Sequence, residues 1–376
     1  MTVLVDATSL PPDRGGVARY LAGLLAGATE VGRRTTVVVK PDDLAWLRSQ
    51  APEHDYVTTS RLLRRRPLRL LWEQVGLPLV ALRTRSRVVH SPHYTFPLLL
   101  ARRTVVTLHD ATFFTDPHDH GRGKRAFFRT WTRLARRLAA STIAPSISTR
   151  DLVTAAVGSP RRPVRVALHG VDPVVFHVPT DAEVAAFADR HGLDLDLGWI
   201  AFLGTVEPRK NVPVLMAAHA RLGGAAGAGP VPPLLVAGGL GWDAPARAAL
   251  TAAGDEPGAA LRHLGYLPLD ELAAYLGGAT VVAYPSSAEG FGLPVLEAMS
   301  CGATVLTTPR TALPEVGGDA VRYAEPTEDA LAGALGDLLA DRPARAELAA
   351  AGLRRATLFT WAACAAVHVE AWDTTP

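Results

Sequence analysis

The sequence predicts an α/β protein built from two doubly wound domains, each with a parallel sheet. Short β-branched runs alternate along the chain with segments of helical length and period. Several of these runs are apolar throughout, which is typical of strands buried on both faces. The length of 376 residues and the 48% share of hydrophobic residues suit two domains of ordinary size, each with a large core.

The first domain is predicted over residues 1–175. Helices are expected between many of its strands, most clearly at 16–30 and 123–140. Its strands are predicted at 2–8, 35–40, 87–92, 104–110, 141–146 and 164–170. The stretch HGVDPVVF, residues 169–176, is expected to lead from this domain into the next.

The second domain is predicted over residues 176–358, with the same alternation. Its strands are predicted at 199–205, 233–239, 280–286, 303–308 and 321–326, and its helices around 211–222, 244–253, 269–278 and 294–301. The alanine-rich segment 224–233 is predicted to be a loop. Residues 359–376 are expected to form a helix that packs back on the first domain.

Composition narrows the classes of protein to which this chain can belong. Its two cysteines, Cys301 and Cys364, give no disulfide framework and indicate a reducing compartment. The first residues lack the pattern of a signal peptide, and the apolar runs are too short to span a bilayer. We therefore expect a cytoplasmic protein, either free or held at the inner face of a membrane.

The charge is divided unevenly between the two halves. Residues 1–175 hold 27 Lys+Arg against 13 Asp+Glu, or +14, and the remainder holds 12 against 23, or −11. This division suggests that the first half meets something anionic, or it reflects only an uneven content of arginine.

Unusual residues fall where predicted strands end, which is where sheets of this kind bind ligands. In GTVEPRKN, residues 204–211, a strand ends at Gly204, and a short turn leads to Arg209 and Lys210 at the start of a helix. Two cations beside a helix N-terminus suit a phosphate or diphosphate. A solvated Arg-Lys pair at a turn is the alternative interpretation.

A second such segment is EGFGLPVLEA, residues 289–298. Gly290 and Gly292 allow a tight turn and a close approach of the backbone to a ligand, and Pro294 fits the first turn of a helix. Backbone N–H groups near 291–293 would then point at an anion.

The same segment carries two glutamates, Glu289 and Glu297. Glu297 lies inside the predicted helix, where its carboxylate could accept hydrogen bonds from the vicinal hydroxyls of a ribose. Glu289 comes before the turn and is expected to be free to face a second group. A plain helix entry would explain Glu297, but it would explain neither Glu289 nor the glycines.

The first domain adds two candidate positions at the ends of its strands. Gly15 and Gly16 open a helix, and His109 follows a strand with Asp110 beside it. His109 is expected to donate a hydrogen bond to a sugar hydroxyl or to orient a reacting group. Taken singly, a glycine pair is an ordinary turn and a lone histidine is an ordinary structural residue.

As a set, these segments resemble the retaining glycosyltransferases of family four, which have the GT-B fold. The resemblance covers nearly the whole chain and is most specific at EPRKN and at EGFGLPVLEAM, whose E-x7-E pattern is Glu289 and Glu297. Further similar segments are Gly15-Gly16, SPHYTFP (91–97), VTLHDATFFTDP (106–117), SISTRDL (146–152) and HLGYLPLDELAAYLGGA (263–279). ALHGVD at 167–172 departs from the family, which more often has a proline at this point.

This resemblance implies two Rossmann-like domains with the active site in the cleft between them. It also implies metal-independent transfer of a hexose from a nucleoside-diphosphate sugar to a hydroxyl, with retention of configuration and no cofactor. The nearest subgroup is the mannosyltransferase-like enzymes of bacterial polysaccharide biosynthesis, which makes GDP-mannose the expected donor. A glycan, a lipid-linked sugar and a small molecule remain open as acceptors.

The family's roles carry over to matching residues of this chain. The catalytic residues that it implies are His109, Glu289, Arg209 and Lys210. The donor-binding residues that it implies are Gly15, Gly16, Gly204, Leu264, Tyr266, Leu267, Phe291, Gly292, Leu293 and Glu297. On the acceptor side it implies Asp110, His93 and Tyr94.

Two patterns resemble metal ligands, and neither is expected to bind one. Asp194-Leu195-Asp196 precedes a predicted strand, whereas metal-binding D-x-D sequences end one. His118-Asp119-His120 lacks carboxylate-rich surroundings and suits a surface loop.

Two basic segments with apolar residues suit attachment to an anionic membrane or to a lipid-phosphate-linked acceptor. They are RLLRRRPLRLLWEQ (61–74) and GKRAFFRTWTRLARRLA (123–139). The second shows the clearer pattern, a helical stripe of Arg125, Arg129, Arg133 and Arg136. A core-packed helix with a solvated basic face is the alternative.

Three other functions compete with the transferase. An NAD-dependent oxidoreductase would need the full G-x-G-x-x-G spacing, which GGLG at 238–241 lacks. A nucleotide-sugar 2-epimerase of the same fold would need acid–base carboxylates for which no residues stand out. A protein that binds nucleic acid or another anion would explain only the charge of the first half, so we expect no nucleic-acid partner.

Overall fold

The chain forms two α/β units, each built on its own parallel sheet. The structure is a computed structural model that describes residues 2–11, 15–158, 163–224 and 230–376. One unit comprises Met1–Gly170 with Phe359–Pro376, and the other comprises Val171–Leu358. The boundary thus lies at residue 170, where the sequence suggested 175. Most of the predicted loop at 224–233 lies outside the described residues.

The first unit contains a seven-stranded sheet. Its strands are β1 (Val3–Asp6), β2 (Thr36–Val39), β3 (Asp55–Thr58), β4 (Val88–Ser91), β5 (Thr104–Thr107), β6 (Ser141–Ala144) and β7 (Val164–Val166). They lie in the order β3-β2-β1-β4-β5-β6-β7, and every neighbouring pair is parallel. The central strands β1, β2, β4 and β5 are buried along their whole length, as their apolar sequences require.

Helices connect these strands. They are α1 (Gly16–Glu30), α2 (Pro41–Gln50), α3 (Arg66–Arg83), α4 (Thr112–Thr115), α5 (Arg122–Leu138) and α6 (Ile147–Val157). The start of α6 shows why a helix begins there: the Ser146 side chain accepts a hydrogen bond from the backbone N–H of Thr149 at 2.9 Å. A short 3₁₀ helix, Leu98–Arg103, precedes β5.

The second unit repeats the plan with six strands. They are β8 (Ile200–Leu203), β9 (Leu234–Ala237), β10 (Leu261–Gly265), β11 (Val281–Tyr284), β12 (Val305–Thr307) and β13 (Arg322–Tyr323), in the order β10-β9-β8-β11-β12-β13. Its helices are α7 (Asp181–His191), α8 (Val212–Gly224), α9 (Ala244–Ala253), α10 (Leu272–Gly277), α11 (Leu293–Ser300), α12 (Leu313–Gly317), α13 (Glu328–Ala340) and α14 (Arg342–Ala356). A capping box between Thr180 and Glu183 begins α7.

The sequence analysis missed two strands, β3 and β10. Each lies at an edge of its sheet, and each is only partly buried. An edge strand has one neighbouring strand and is partly exposed to solvent. It therefore does not need the continuous apolar run by which central strands are recognised. Asp55 in β3 and His263 in β10 interrupt such a run.

The last helix, α15 (Trp361–Asp373), belongs to the first unit and packs against α1. Trp361 lies over α1 at a point where only glycine leaves room. A Cβ atom at Gly23 would come within 2.1 Å of the indole, and one at Gly27 would come within 2.1 Å of the Trp361 carbonyl oxygen. A Cβ atom at Gly170 would come within 2.2 Å of the Trp361 nitrogen. These glycines let the two segments of the first unit meet.

Beneath this contact lies a buried group of aromatic and histidine side chains around Tyr20. His368 Nδ1 lies 2.8 Å from the Cys364 carbonyl and donates to it, so its Nε2 accepts a 2.8 Å hydrogen bond from the Tyr20 hydroxyl. Tyr20 Oη also lies 2.8 Å from Thr107 Oγ1 and 3.3 Å from His90 Nε2. This arrangement requires neutral histidines.

Acid should therefore destabilise the first unit before surface carboxylates titrate. Burial lowers the pKa of His368 to about 4 and that of His93 to about 3, and it lowers the pKa of His90 and His169 well below the usual value. In the unfolded chain these groups take up protons near pH 6.5, so their stabilisation is present above that pH and is lost as the pH falls. Burial raises the pKa of Glu73 to about 7, so this carboxyl group gains stabilisation as the pH falls. Its contribution offsets only part of the loss from the four histidines.

We expect a net loss of at least about 2 kcal/mol in the free energy of unfolding between pH 6.5 and pH 5, measured by denaturant titration. His368→Gln should make this pH dependence shallower. His177→Gln, at a histidine of the second unit whose side chain is 42% exposed, should leave it unchanged. Equal midpoints at the two pH values in the wild type would contradict the prediction.

Candidate functional site

In the second sheet, the chain order reverses between its two central strands. β8 pairs with β9, its successor, on one side and with β11 on the other. Loops that leave neighbouring strands in opposite directions open a crevice at the carboxyl edge, which is where ligands bind in such sheets. The loop after β8 carries PRKN, and the loop after β11 carries SSAEGFG. Both specific motifs of the sequence thus meet at this crevice.

The sequence predicted that Arg209 and Lys210 begin a helix. In the structure the residues of PRKN lie before α8 instead. Pro208–Lys210 forms a separate 3₁₀ turn, and Asn211 then adopts a left-handed conformation with φ 53°. Asn211 Nδ2 donates to the Pro285 carbonyl at 2.9 Å. This reversal turns the two preceding cations toward the loop after β11 instead of along the helix.

Hydrogen bonds join the two loops. The backbone N–H of Ser287 donates to the Arg209 carbonyl at 2.8 Å, and the Ser286 hydroxyl oxygen lies 3.1 Å from the same oxygen. In return, Arg209 Nη1 donates to the Ala288 carbonyl at 2.8 Å. The positions of the cations are therefore determined by the second loop as well as by their own.

The Glu289 carboxylate lies at the centre of a compact ionic cluster. Arg209 Nη1 lies 2.7 Å from Oε1, the Tyr284 hydroxyl 2.8 Å and the Ser286 hydroxyl 2.7 Å, and Lys210 Nζ also donates to this oxygen. Glu207 Oε2 accepts from Arg209 Nε at 2.8 Å. The prediction that Glu289 is free to face a second group is corrected in part: both cations hold its Oε1, and within the described residues the side-chain contacts leave Oε2 for such a group.

The electrostatics of the cluster depend on its burial. Burial would raise the pKa of Glu289, but Arg209 and Lys210 together lower it to about 2. Burial and the neighbouring Arg209 lower the pKa of Lys210 to about 8, although Glu289 acts in the other direction. Burial opposes the charge of Arg209, but Glu289 and Glu207 keep its pKa well above the usual value. Near neutral pH the cluster holds two cations and two carboxylates at a site with little water.

The turn into α11 depends on Gly292. Its φ of 105° is strained for any residue with a side chain, and a Cβ atom there would lie 2.8 Å from Leu313 Cδ2. Pro294 occupies the first turn of the helix. Leu293, the first residue of α11, has no acceptor one turn earlier for its N–H, as is general at helix N-termini. Glu297 lies in the second turn and is 2% exposed.

The residues predicted to contact a base and a diphosphate lie at the same edge of this sheet. Gly204 follows β8 with φ 152°, and a Cβ atom at Gly238 would come within 2.4 Å of its carbonyl oxygen. Leu264 belongs to β10, and Leu267 lies just beyond it. Tyr266 is exposed, and its hydroxyl lies 2.7 Å from the Cβ position of Gly239.

In the first unit, His109 follows β5 and its ring is held in place. Nε2 lies 2.6 Å from the Pro92 carbonyl, so this nitrogen carries the proton, and burial lowers the pKa of the ring. The neutral ring therefore presents Nδ1 as an acceptor. The prediction that His109 donates to a hydroxyl is corrected accordingly: a hydroxyl would donate to His109. The ring of His93 lies 5.9 Å away.

Tyr94 and Asp110 support this edge from within. Tyr94 is buried with φ 51°, and its hydroxyl accepts from the backbone N–H of Asp110 at 2.9 Å. Asp110 Oδ1 accepts from the backbone N–H of Thr112 at 3.0 Å and from its hydroxyl at 2.7 Å, at the start of α4. Both side chains therefore position the loops around His109.

Gly15 caps α1, and Gly16 is its first residue. Among the residues that the structure describes, no atom outside its chain neighbours and its own helix lies within 4 Å of a Cβ atom built on Gly16. The packing of the protein itself therefore does not require glycine at this position.

Four further residues belong to the ionic cluster or support it. Glu207 and Asn211 lie in the EPRKN segment that the sequence had singled out, although no role was predicted for them, whereas Tyr284 and Ser286 were not predicted. Tyr284 is the last residue of β11 and Ser286 follows it, so their position at a strand end was the available signal. No sequence motif predicted that these side chains lie around Glu289.

In both patterns that resemble metal ligands, described side chains contact other parts of the protein. Asp194 Oδ1 accepts from the backbone N–H of Asp196 at 2.9 Å, which forms a local turn. His120 packs on Phe113 with ring centroids 4.4 Å apart. Among the residues that the structure describes, no three His, Cys, Asp or Glu side chains are grouped so as to hold a metal ion.

Two family models match the chain. The one described as glycosyl transferases group 1 matches residues 185–355, and the one described as glycosyltransferase family 4 matches residues 14–175. O-antigen chain mannosyltransferase B of Escherichia coli is 31% identical over 301 residues, which are 76% of this chain and 74% of that protein. A D-inositol 3-phosphate glycosyltransferase of Mycobacterium avium is 34% identical over 215 residues, which are 52% and 48%.

Solved structures share the fold at low sequence identity. HepE of Anabaena, in complex with UDP and glucose, superposes with a TM-score of 0.75 at 17% identity over 100% of both chains. A sucrose-phosphate synthase of Thermosynechococcus elongatus gives 0.79 at 18% identity over 99% of this chain and 98% of that one.

Proposed function

Because the chain belongs to the family 4 glycosyltransferases and has their GT-B fold, we propose that it transfers mannose from GDP-mannose to a hydroxyl acceptor with retention of configuration. The likeness to O-antigen chain mannosyltransferase B supports mannose as the sugar and a glycan as the acceptor. The observation that carries the proposal is the buried cluster of Arg209, Lys210 and Glu289 at the crevice of the second sheet.

Arg209 and Lys210 bind the donor diphosphate and stabilise its charge as the sugar leaves. A nucleoside diphosphate is already a stable anion, so its departure needs fixed positive charge more than it needs an acid. Glu207 and Glu289 hold these cations in position. When the donor binds, phosphate oxygens take over part of this pairing, so the site is organised before the ligand arrives.

Glu289 holds the transferred sugar. Within the described part of the chain, the hydrogen bonds and ion pairs of its side chain involve Oε1, and Oε2 serves the sugar hydroxyls. The N–H groups of Phe291, Gly292 and Leu293 bind the sugar and the phosphate. Glu297 binds the ribose, and the backbone from Leu264 to Leu267 contacts the base.

The proton of the acceptor hydroxyl passes to the leaving phosphate on the same face of the sugar, which retains the configuration. The new glycosidic C–O bond forms as the bond to the phosphate oxygen breaks, and the proton ends on the diphosphate. His109 accepts a hydrogen bond through Nδ1 and orients a hydroxyl beside the reacting carbon. None of these steps uses a metal ion or a cofactor.

Thermal-shift measurements with GDP, UDP, ADP and NAD test the donor. A ligand that binds only the folded protein raises Tm with its concentration over Kd, and we expect the largest shift with GDP. A larger shift with UDP or ADP would overturn the choice of GDP. A shift with NAD alone would favour the oxidoreductase.

Transfer activity in excess chelator tests metal independence. We expect unchanged rates, and loss of activity that a divalent ion restores would contradict the proposal. Incubation with donor and no acceptor tests the epimerase alternative, because an epimerase would convert the sugar nucleotide under these conditions.

The pH dependence of kcat/KM should report the protonation of Lys210. Because its pKa is lowered to about 8, we expect kcat/KM to fall as the pH rises through that value, since this parameter reports the free enzyme. The bound diphosphate raises the pKa of the lysine, so kcat should persist to higher pH. Lys210→Arg should remove the alkaline decline from whatever activity remains. A wild-type kcat/KM that stays constant to about pH 10 would rule out the assignment.

Gly16→Ala should weaken donor binding without weakening the fold. Within the described ranges of the chain, the methyl group added at Gly16 would meet no packed neighbour within 4 Å, so Tm should stay the same or rise slightly. Gly15 and Gly16 are proposed to approach the donor diphosphate closely, and a methyl group there should raise the donor KM about tenfold or more. Gly123→Ala, at the start of α5 with similarly open surroundings, is the matched control. The same KM in both variants would exclude a donor contact at Gly16.

A further inference from the structure

The outward face of α3 is apolar. Leu68, Leu71, Val75, Leu79 and Leu82 are between 38% and 75% exposed. Their spacing of three and four residues places them in one stripe along the helix. The residues that bury the opposite face, Leu77 and Ala81, pack in the core under β1, β2 and β4. The helix thus has one apolar face that packs on its own sheet and a second apolar face that is exposed.

The segment that carries this stripe is strongly cationic, although Arg61 and Arg64 at its start pair with Asp42 of α2. Residues 61–103 contain ten arginines, no lysine and a single acidic residue, Glu73. Glu73 is buried and pairs with Arg69 at 2.8 Å, so it adds no negative charge to the surface. The exposed arginines are Arg61, Arg64, Arg65, Arg66, Arg83, Arg85, Arg87, Arg102 and Arg103.

A cavity of about 250 Å³ lies at the C-terminal end of the stripe. Its apolar lining includes Pro78, Ala81, Leu82, Val89 and Leu100, and its cations are Arg85, Arg87 and Arg103. An apolar pocket among guanidinium groups suits a hydrocarbon chain whose head carries a phosphate. The exposed side chains of Leu98 and Leu99 extend the apolar surface beside it.

The other basic helix does not offer such a face. In α5, Phe128, Trp131 and Leu134 pack against the core of the first unit. Arg136, predicted to lie on an exposed stripe, is buried and donates to Thr142 Oγ1 at 2.7 Å. Arg129 donates to the Phe113 carbonyl at 2.6 Å. The segment with the clearer sequence pattern, α5, therefore packs its apolar residues into the core of the first unit.

We propose that α3 docks the protein on an anionic phospholipid bilayer. The leucines enter the boundary between head groups and acyl chains, and the arginines bind lipid phosphates. A second copy of the chain fits this face poorly, because it would bring two arginine-rich surfaces together without acidic partners. In the described part of the chain, no helix is long and apolar enough to cross a membrane, so the contact is peripheral.

Vesicle co-sedimentation tests the proposal and needs neither donor nor acceptor, so its result is independent of the proposed transfer reaction. Vesicles of phosphatidylcholine alone are compared with vesicles that also contain phosphatidylglycerol. We expect binding to the anionic vesicles, which added salt weakens. A double variant, Leu71→Gln with Leu79→Gln, should lower the partition coefficient at least about tenfold. Arg83→Gln with Arg87→Gln should weaken binding to the anionic vesicles to a similar extent.

Leu195→Gln with Leu358→Gln is the matched control, because both leucines are exposed in the second unit. It should bind like the wild type, and all variants should keep the wild-type Tm. The proposal is overturned if the wild type does not bind anionic vesicles, if it binds neutral vesicles equally well, or if the α3 leucine variant binds normally. A wild-type dimer that the same variant dissociates, with no vesicle binding, would assign this face to a second copy.

Discussion

Replacing Lys210 by methionine is expected to lower kcat about a thousandfold, at the upper end of the effect of removing one transition-state donor. The ammonium group is held by Glu289 and by the Tyr284 hydroxyl at the crevice where the diphosphate departs. In a buried site such a charge acts with little screening by water, and methionine preserves the length of the side chain but not the charge.

The fold should survive this substitution. Glu289 would still accept from Arg209, Tyr284 and Ser286, so the carboxylate would not be left without donors. Initial rates with the donor identified by thermal shift measure the effect. Arg221→Met is the control, since Arg221 is an exposed cation of the same unit that pairs with Glu328 and Asp329 on the surface. Rates within a few-fold of the wild type in Lys210→Met would refute the catalytic role.

The largest expected effect on stability comes from Trp361→Ala, which should lower the free energy of unfolding by about 3 to 5 kcal/mol. Trp361 is 7% exposed and lies on α1 where Gly23 and Gly27 leave no room for side chains. The rings of Tyr20 and His169 lie beside it, with centroids 6.4 and 5.6 Å away. Alanine would leave a cavity that these backbones are too rigid to fill.

Denaturant unfolding of the variant and the wild type measures this loss. Trp242→Ala is the matched control, because Trp242 is 48% exposed and its removal should cost less than about 1 kcal/mol. A loss below about 1 kcal/mol in Trp361→Ala as well would show that α15 contributes little to the first unit.

The sequence predicted the central parts of this fold better than its edges. β1, β4, β8 and β11 were recognised because strands buried on both faces need continuous apolar runs. β3 and β10 lie at sheet edges, where this requirement lapses and the local pattern carries little information. The strand order could not be predicted from periodicity, since it depends on contacts between distant segments.

For the candidate site, the sequence identified Arg209, Lys210 and Glu289 but not their arrangement. Motifs report residues that are close along the chain, whereas Tyr284 and Lys210 come together across 74 positions. The pairing of Glu289 with both cations depends on the left-handed turn at Asn211 and on hydrogen bonds between loops. Neither feature has a local signature strong enough to be recognised beforehand.

The sequence also could not predict which of the two basic helices exposes an apolar face. Both α3 and α5 have basic and apolar residues at helical spacing, and the spacing alone does not say which apolar residues the core will take up. In α5 the core takes the aromatic residues, and in α3 it takes Leu77 and Ala81 and leaves the leucine stripe outside. Only the packing distinguishes the two helices.

The return of α15 to the first unit has a consequence for how the chain is made. Residues 171–358 separate the two segments of that unit, and a ribosome needs roughly 10 to 40 s to add them. During this interval the second unit can complete its own core, while the surface of α1 around Gly23 and Gly27 still awaits Trp361. A chain released shortly before Phe359 would contain every strand of both sheets and still lack the helix that completes the first.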